Sequence, residues 1–227
     1  MSERMPRPLE ADVQSQLDDL HLVPDRPLVI TDADEVLFQF MKGLEGYLTG
    51  QELYFDWASF ALYGNIRRRS DDSVVEMPHL ADHLDAFFAA HAAELEAVEG
   101  AAAALAGLAE RAQIVVLSNI PLPQRDARLQ ALRRNGMDYP LVANRGPKGA
   151  AVHQMAARVA APAVFIDDIP QNHKSVRATG PGVHCLHFVA DRRLAALLGP
   201  SEHCDATCDS WPDLRRAIEG HFAAQGF

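Results

Sequence analysis

Two apolar runs in this chain each break off at a pair of aspartates. Pro27 to Thr31 leads into Asp32 and Asp34, and Ala163 to Ile166 leads into Asp167 and Asp168. A short, continuous apolar run is the pattern of a strand buried on both faces, as in a parallel sheet. Carboxylates at the ends of such strands are costly, because two charges about 4 Å apart repel by roughly 4 kcal/mol at an effective dielectric near 20. A chain holds such a cluster only where a cation neutralises it or chemistry needs it. The donors are all oxygens, which points to a hard cation, Mg²⁺ first.

The strand-like runs alternate with helical patterns, and this predicts an α/β fold. Five runs stand out: Leu28 to Ile30, Ile114 to Leu117, Leu141 to Ala143, Ala163 to Ile166 and Val183 to Val189. The expectation is a Rossmann-like parallel sheet core of about five strands flanked by helices. A helix is expected from Pro147, with Val152, Met155, Ala156 and Val159 at helical spacing. The alanine run from Ala101 predicts a second helix, to Arg111, and Ser210 with Pro212 opens a last one ending near Gly220. Between the first strand and the Ala101 helix lies a stretch far longer than a crossover needs. It reads as helical, with Met41, Leu44 and Leu48 on one face and Leu84, Phe87, Phe88, His91 and Leu95 on another. The expected organisation is a leader over 1–26 with one short helix, a core over 27–39 and 99–227, and a small helical cap domain over 40–98.

Bulk properties narrow the partners. The chain has 227 residues, enough for one domain or one domain with a large insertion. A net charge of -10 argues against nucleic acid or an anionic membrane as the main partner, and says nothing against a small anionic substrate. There is no apolar run long enough to span a bilayer and no apolar segment of signal-peptide type near Met1, so a cytoplasmic protein is expected, a monomer or a homodimer. Three cysteines make no disulfide framework, and His203, Cys204, Asp205 and Cys208 lack the spacing of a zinc site.

Open α/β sheets bind ligands at the carboxyl ends of their strands. The candidates there, or at a helix start, are Asp32, Asp34, Ser118, Lys148 and the pair Asp167 and Asp168. Each alone is a common turn, cap or surface residue. Together, in this order and on these elements, they resemble the haloacid dehalogenase-like superfamily of phosphohydrolases. The matching segments are Ile30 to Leu37, Ile114 to Asn119, Pro147 with Lys148, and Val164 to Asp168 with Asn172 after it, so the resemblance spans about residues 28 to 222.

The resemblance implies roles. Asp32 would be the nucleophile that forms an aspartyl-phosphate, splitting one hydrolysis into two displacements. Asp34 would protonate the leaving alcohol and then deprotonate the attacking water. Ser118 would donate to a phosphoryl oxygen, with Asn119 beside it, and Lys148 would hold nucleophile and phosphate together. Mg²⁺ would sit between Asp32, the backbone carbonyl of Asp34 and Asp168, with Asp167 bound directly or through water, and Asn172 would orient Lys148 or the acidic pair. Dehalogenases of the superfamily lack the second aspartate, so Asp34 favours phosphate esters over haloacids. Glu35 departs from the glycine common at that place and could narrow the entrance, contact substrate or face solvent. Specificity is expected from the cap, with the basic Arg67, Arg68 and Arg69 and the aromatic Trp57, Phe60 and Tyr63 as candidates, each also readable as cap surface or core.

The implied function is a Mg²⁺-dependent phosphomonoesterase acting on a small phosphorylated metabolite. Three alternatives stand beside it. A phosphosugar mutase could use the same core. A receiver-type signalling domain uses similar residues, but in another order and at about half the length. A catalytically silent binding or regulatory protein is the last.

Overall fold

The computed structural model describes residues 9–180 and 182–227. In chain order its elements are α1 (Ala11–Asp18), β1 (Leu28–Thr31), α2 (Phe40–Gly50), β2 (Leu53–Phe55), β3 (Ile66–Arg68), α3 (Met77–His91), α4 (Ala101–Ala109) and β4 (Gln113–Ser118). A 3₁₀ turn at Leu122–Gln124 precedes α5 (Arg125–Arg134), β5 (Leu141–Ala143), α6 (Gly149–Ala156), β6 (Ala163–Asp167), α7 (Pro170–Thr179), β7 (His184–His187), α8 (Arg192–Leu198), β8 (Ala206–Thr207) and α9 (Trp211–Ala224).

Strands β1, β5 and β6 are buried at every residue, as runs covered on both faces must be. The main sheet has six strands in the order β5-β4-β1-β6-β7-β8, every pair parallel. Alternation along the strands separates two apolar layers. Val29, Val116 and Ile166 face α4 and α9, where Leu105, Trp211 and Leu214 meet them. Leu28, Ile30, Val115 and Phe165 face the other way, onto Val152 and Met155 of α6 and Val13 and Leu17 of α1. Helix α1 also guards the edge strand: the Gln16 amide donates to Ala143 O at 3.1 Å and accepts from Ala143 N at 2.8 Å. Residues 1–8, the first part of the expected leader, lie outside the described residues.

From β1 the chain runs outward through β4 to β5, then returns to lay β6, β7 and β8 on the opposite side. The strand order therefore reverses beside β1, and at such a point the loops part to leave a crevice at the carboxyl ends. Thr31 pairs with both Val116 and Ile166, so Asp32 and Asp167 are the next residues on adjacent strands.

The sheet gains a sixth strand, β8, which carries no apolar run. Residues 40–98 depart further from the sequence reading, because they are not wholly helical. Helices α2 and α3 bury the expected Met41, Leu44, Leu48 and Phe87, but β2 and β3 pair antiparallel between them. The stretch from Asp56 to Asn65 holds no α-helix. Buried Asn65 fixes this loop, its side-chain amide donating to Ser59 O at 2.9 Å and Ala61 O at 2.7 Å. Where the segment leaves and rejoins the core, Phe38 and Ala97 form an antiparallel bridge. Among the described residues no helix is long and apolar enough to cross a membrane.

Candidate active site

The carboxyl ends of β1 and β6 deliver Asp32 and Asp167 to one place, while Ser118 ends the neighbouring β4, buried and off the lining of the cavity over the site. Asp32 N still donates to Ile166 O at 2.9 Å, continuing the ladder one residue past β1, while its Oδ1 accepts from Ala33 N at 2.7 Å. Lys148 arrives from the start of α6, and Gly149 beside it is the reason it can. A Cβ at Gly149 would lie 2.3 Å from Ser175 O on α7, so only glycine lets the two helices approach.

Lys148 is 1% exposed, and its Nζ lies 2.8 Å from both Asp32 Oδ1 and Asp167 Oδ2. The other oxygen of Asp167 accepts from Ile169 N at 2.8 Å and Asn172 Nδ2 at 3.0 Å, so both oxygens of its carboxylate already have protein partners. Two buried histidines brace the backbone beneath the pair. His173 Nε2 donates to Asp167 O at 3.0 Å and His187 Nε2 to Asp168 O at 2.9 Å. A carbonyl only accepts, so each ring carries its proton on Nε2; burial keeps His173 below its usual value, in the neutral form.

Asp32, Asp167 and Asp168 each offer an oxygen, and these lie within 4.8 Å of one another. Burial raises Asp32 to about 7, opposed by Lys148 and assisted by Asp167 and Asp34. Burial, then Asp167 and Asp32, also raise Asp168 well above an ordinary carboxylate. Burial works against the Lys148 ammonium, but Asp167 and Asp32 outweigh it and hold its value above that of an ordinary lysine. Three carboxylates facing one ammonium leave two negative charges when all are ionised. That deficit, and a donor set of oxygens alone, fit a hard divalent cation.

Ser118 Oγ is buried with no hydrogen-bond partner among the described residues. Asn119 Oδ1 accepts from Asn144 Nδ2 at 2.7 Å, and its own amide donates to Gly146 O at 3.0 Å. Asp34 stands apart from the three-carboxylate group. Its Oδ1 accepts from Arg128 Nη2 at 2.6 Å, and Arg128 is fully buried on α5 with its guanidinium 4.8 Å from the centre of the Phe38 ring.

Glu35 is a structural strut. It is 2% exposed, and its carboxylate accepts from Met41 N at 2.6 Å and Asp191 N at 2.8 Å, tying the first turn of α2 to the start of α8. It therefore does not face solvent, and both its oxygens are taken by backbone. Its φ is 59°, in the left-handed region where glycine is the default. Glu35→Ala is expected to destabilise the protein by about 2–3 kcal/mol, because two buried amides lose their acceptor. Glu35→Gly should cost about 1 kcal/mol less, since glycine relieves the backbone. Urea denaturation of both variants checks this, and an alanine variant as stable as the parent counts against the strut.

A cavity of about 220 Å³ opens over Asp32, Asp34, Glu35, Lys148, Asp168, Asn119 and Asn172, so Glu35 lines it as well as bracing it. The far wall carries Phe40, Met41, Phe60, Leu62, Leu84 and Phe88, with Leu194 on the side. The other specificity candidates are placed elsewhere. Arg67 pairs with Asp56 and Asp72, Arg68 donates to Ser73 Oγ and Val74 O, and Arg69 lies over Tyr54. Trp57 packs edge-on to Phe55 and beneath Arg193, and Tyr63 is exposed. None of these five lines the cavity; the partners of Arg67, Arg68 and Arg69 all lie within residues 54–74, around the β2–β3 pair. Sequence reasoning missed Arg128. A helix reading Arg-Asp-Ala-Arg-Leu-Gln-Ala-Leu-Arg-Arg looks wholly solvated, and only Leu129, Ala131 and Leu132 hint at an inward face.

No family model matches the chain, and no curated protein matches it. Solved structures match it in shape. A haloacid dehalogenase-like hydrolase from Streptococcus pneumoniae superposes with a TM-score of 0.59 at 12% identity, covering 84% of this chain and 97% of that one. A hydrolase of the same group from Deinococcus radiodurans, with bound phosphate and sodium, gives 0.53 at 21% identity over 87% of this chain and 96% of that one. CbbY from Rhodobacter sphaeroides, in complex with phosphate, gives 0.51 at 16% identity over 83% of this chain and 96% of that one. Identities of this size speak to fold.

Proposed function

Since the chain has the haloacid dehalogenase-like fold, we propose that it is a Mg²⁺-dependent phosphomonoesterase working through an aspartyl-phosphate on Asp32. One observation carries the reading: the Lys148 ammonium lies 2.8 Å from both Asp32 and Asp167 at the floor of a cavity that Asp34 also lines. Bound phosphate in two structures of the same fold supports it.

A carboxylate oxygen of Asp32 attacks phosphorus, the ester bond breaks, and the leaving alkoxide takes a proton from Asp34. Water then attacks the phosphorus of the acyl phosphate, gives its proton to Asp34, and releases phosphate with Asp32 restored. Arg128 holds one oxygen of Asp34, fixing where that proton is given and taken. Ser118 Oγ donates to a phosphoryl oxygen, and Lys148 offsets charge on phosphate and nucleophile. Asp32, Asp168 and Asp167 would hold the cation, with Asp167 the least free because Lys148, Ile169 and Asn172 already engage it. When bound, the cation withdraws charge from the phosphoryl group and lets an anion approach an anion. Residues 40–98 are read as a cap that closes over the ester and excludes water.

Mg²⁺ is expected to stabilise the native protein by about 2.7 kcal/mol at roughly 100 times its Kd, on the order of 5–10 °C in Tm. Asp168→Asn should remove most of that shift together with Mg²⁺-dependent hydrolysis of an aryl phosphate. A melting curve indifferent to millimolar Mg²⁺, with no phosphate released from the ester, would overturn the reading.

A further inference from the structure

The cavity's far wall says what the phosphate is attached to. Phe40, Met41, Phe60, Leu62, Leu84 and Phe88 reach it from α2, from the loop between β2 and β3, and from α3. Phe60, Leu62, Leu84 and Phe88 remain half-buried, so an apolar guest would complete their removal from water. Positive charge is missing from the same wall. Among the described residues Lys148 is the one cation on the lining, and it is committed to Asp32 and Asp167. Arg193, next to Leu194, is held by Glu45 and Asp191 over the Trp57 ring. A second anionic group on the substrate would meet phenylalanine, leucine and the carboxyl groups of Asp34 and Glu35, with nothing to pair it.

Size sets a second bound. An apolar cavity of about 150 Å³ takes one benzene. The 220 Å³ here accommodates a phosphoryl group at the floor and a ring-sized body against the far wall. Resting on the phosphomonoesterase reading, we propose that the substrate is a phosphate monoester of an uncharged, mainly apolar alcohol about one ring in size. Phe60, Leu62, Leu84 and Phe88 are then its specificity residues.

The test compares benzyl, 4-carboxybenzyl and methyl phosphate, three esters whose leaving alcohols are closely matched in basicity. With Mg²⁺ and the full chain, kcat/KM for benzyl phosphate is expected to exceed that for each of the other two by tenfold or more. Leu84→Arg and Leu62→Arg each place a cation on the wall and should narrow or invert the ratio of benzyl to 4-carboxybenzyl phosphate. Two positions on separate elements are used so that misfolding of one leaves the other to report. A preference for the carboxylate-bearing ester in the parent protein, or a ratio moved by neither arginine, overturns the proposal while the phosphatase stands. Failure to hydrolyse any of the three esters overturns the phosphomonoesterase reading, and the substrate class falls with it.

Discussion

Asp32→Asn is expected to lower turnover of every phosphate ester by roughly 10⁶-fold, the scale of loss when a catalytic nucleophile is removed, and to make the metal-free protein more stable at neutral pH. An amide cannot attack phosphorus, so the covalent intermediate is lost. The stability effect follows from burial. Asp32 is raised from 3.8 to about 7 in the folded protein, chiefly by desolvation. A carboxyl whose folded value lies above its unfolded one is protonated more readily in the native state, so its ionisation opposes folding. That penalty is absent below about pH 4, grows as pH rises and is complete above about 7. The asparagine variant should therefore melt above the parent at about pH 8 without metal, and the two curves should converge toward about pH 4. Parent-like turnover by the variant, its mass confirmed as the amide, would refute covalent catalysis at Asp32.

Lys148→Met is the second large change, and it acts on fold and chemistry together. Methionine nearly matches the stem in volume but leaves Asp32, Asp167 and Asp168 without a counter-charge. Breaking a buried pair from one side costs about 3–5 kcal/mol, a large part of the 5–15 kcal/mol that holds a typical domain together. The ammonium's folded value is raised by Asp167 and Asp32, so its contribution is present at all pH below its unfolded value of 10.5. The loss should be heaviest at neutral pH, lighten in acid as the carboxyls take up protons, and be partly recovered by Mg²⁺. Turnover should fall by at least about a hundredfold even where the variant is folded, since charge on the phosphoryl oxygens loses a partner. Thermal melts with and without Mg²⁺ between about pH 5 and 8 check both halves. A Tm unchanged at neutral pH would mean that Lys148 is not what neutralises the cluster.

Why some of this could be read from sequence and some could not comes down to the range over which each residue's role is decided. Leu141 to Ala143 and Ala163 to Ile166 announce strands because both faces of each are buried, which demands an unbroken apolar run. Asp32, Ser118, Lys148 and Asp167 follow from such runs, since strand ends and helix starts put them at one rim. β8 is two residues long, half-exposed to exposed, and paired on one edge only, so apolarity does not mark it. Leu53-Tyr54-Phe55 and Ile66-Arg67-Arg68 are each too short to show a period, and their pairing depends on the loop that Asn65 ties. Arg128 is the sharpest case. Within α5 only Leu129, Ala131 and Leu132 hint which of its four arginines turns inward; the partner that holds it, Asp34, lies 94 residues earlier. The same holds for Arg67, Arg68 and Arg69, a conspicuous cluster whose orientation the β2–β3 ladder sets.

The bridge between Phe38 and Ala97 has a further consequence. Gln39 N donates to Glu96 O at 2.9 Å and Val98 N to Leu37 O at 2.8 Å, so the outgoing and returning chains run side by side as a two-stranded splice. Antiparallel partners of this kind hold their Cα atoms about 5 Å apart. The proposed reacting floor rests on β1, β4, β6 and the clasp between α6 and α7, all of them outside residues 40–98. A foreign module whose own ends meet at the same spacing could be grafted there without shifting the register of β1 or the start of α4, provided that it again covers Val36, Leu37 and Phe38. On the proposed reading the joint is an exchange point, where the choice of alcohol would be rewritten while the proposed phosphate-cleaving site stays as it is.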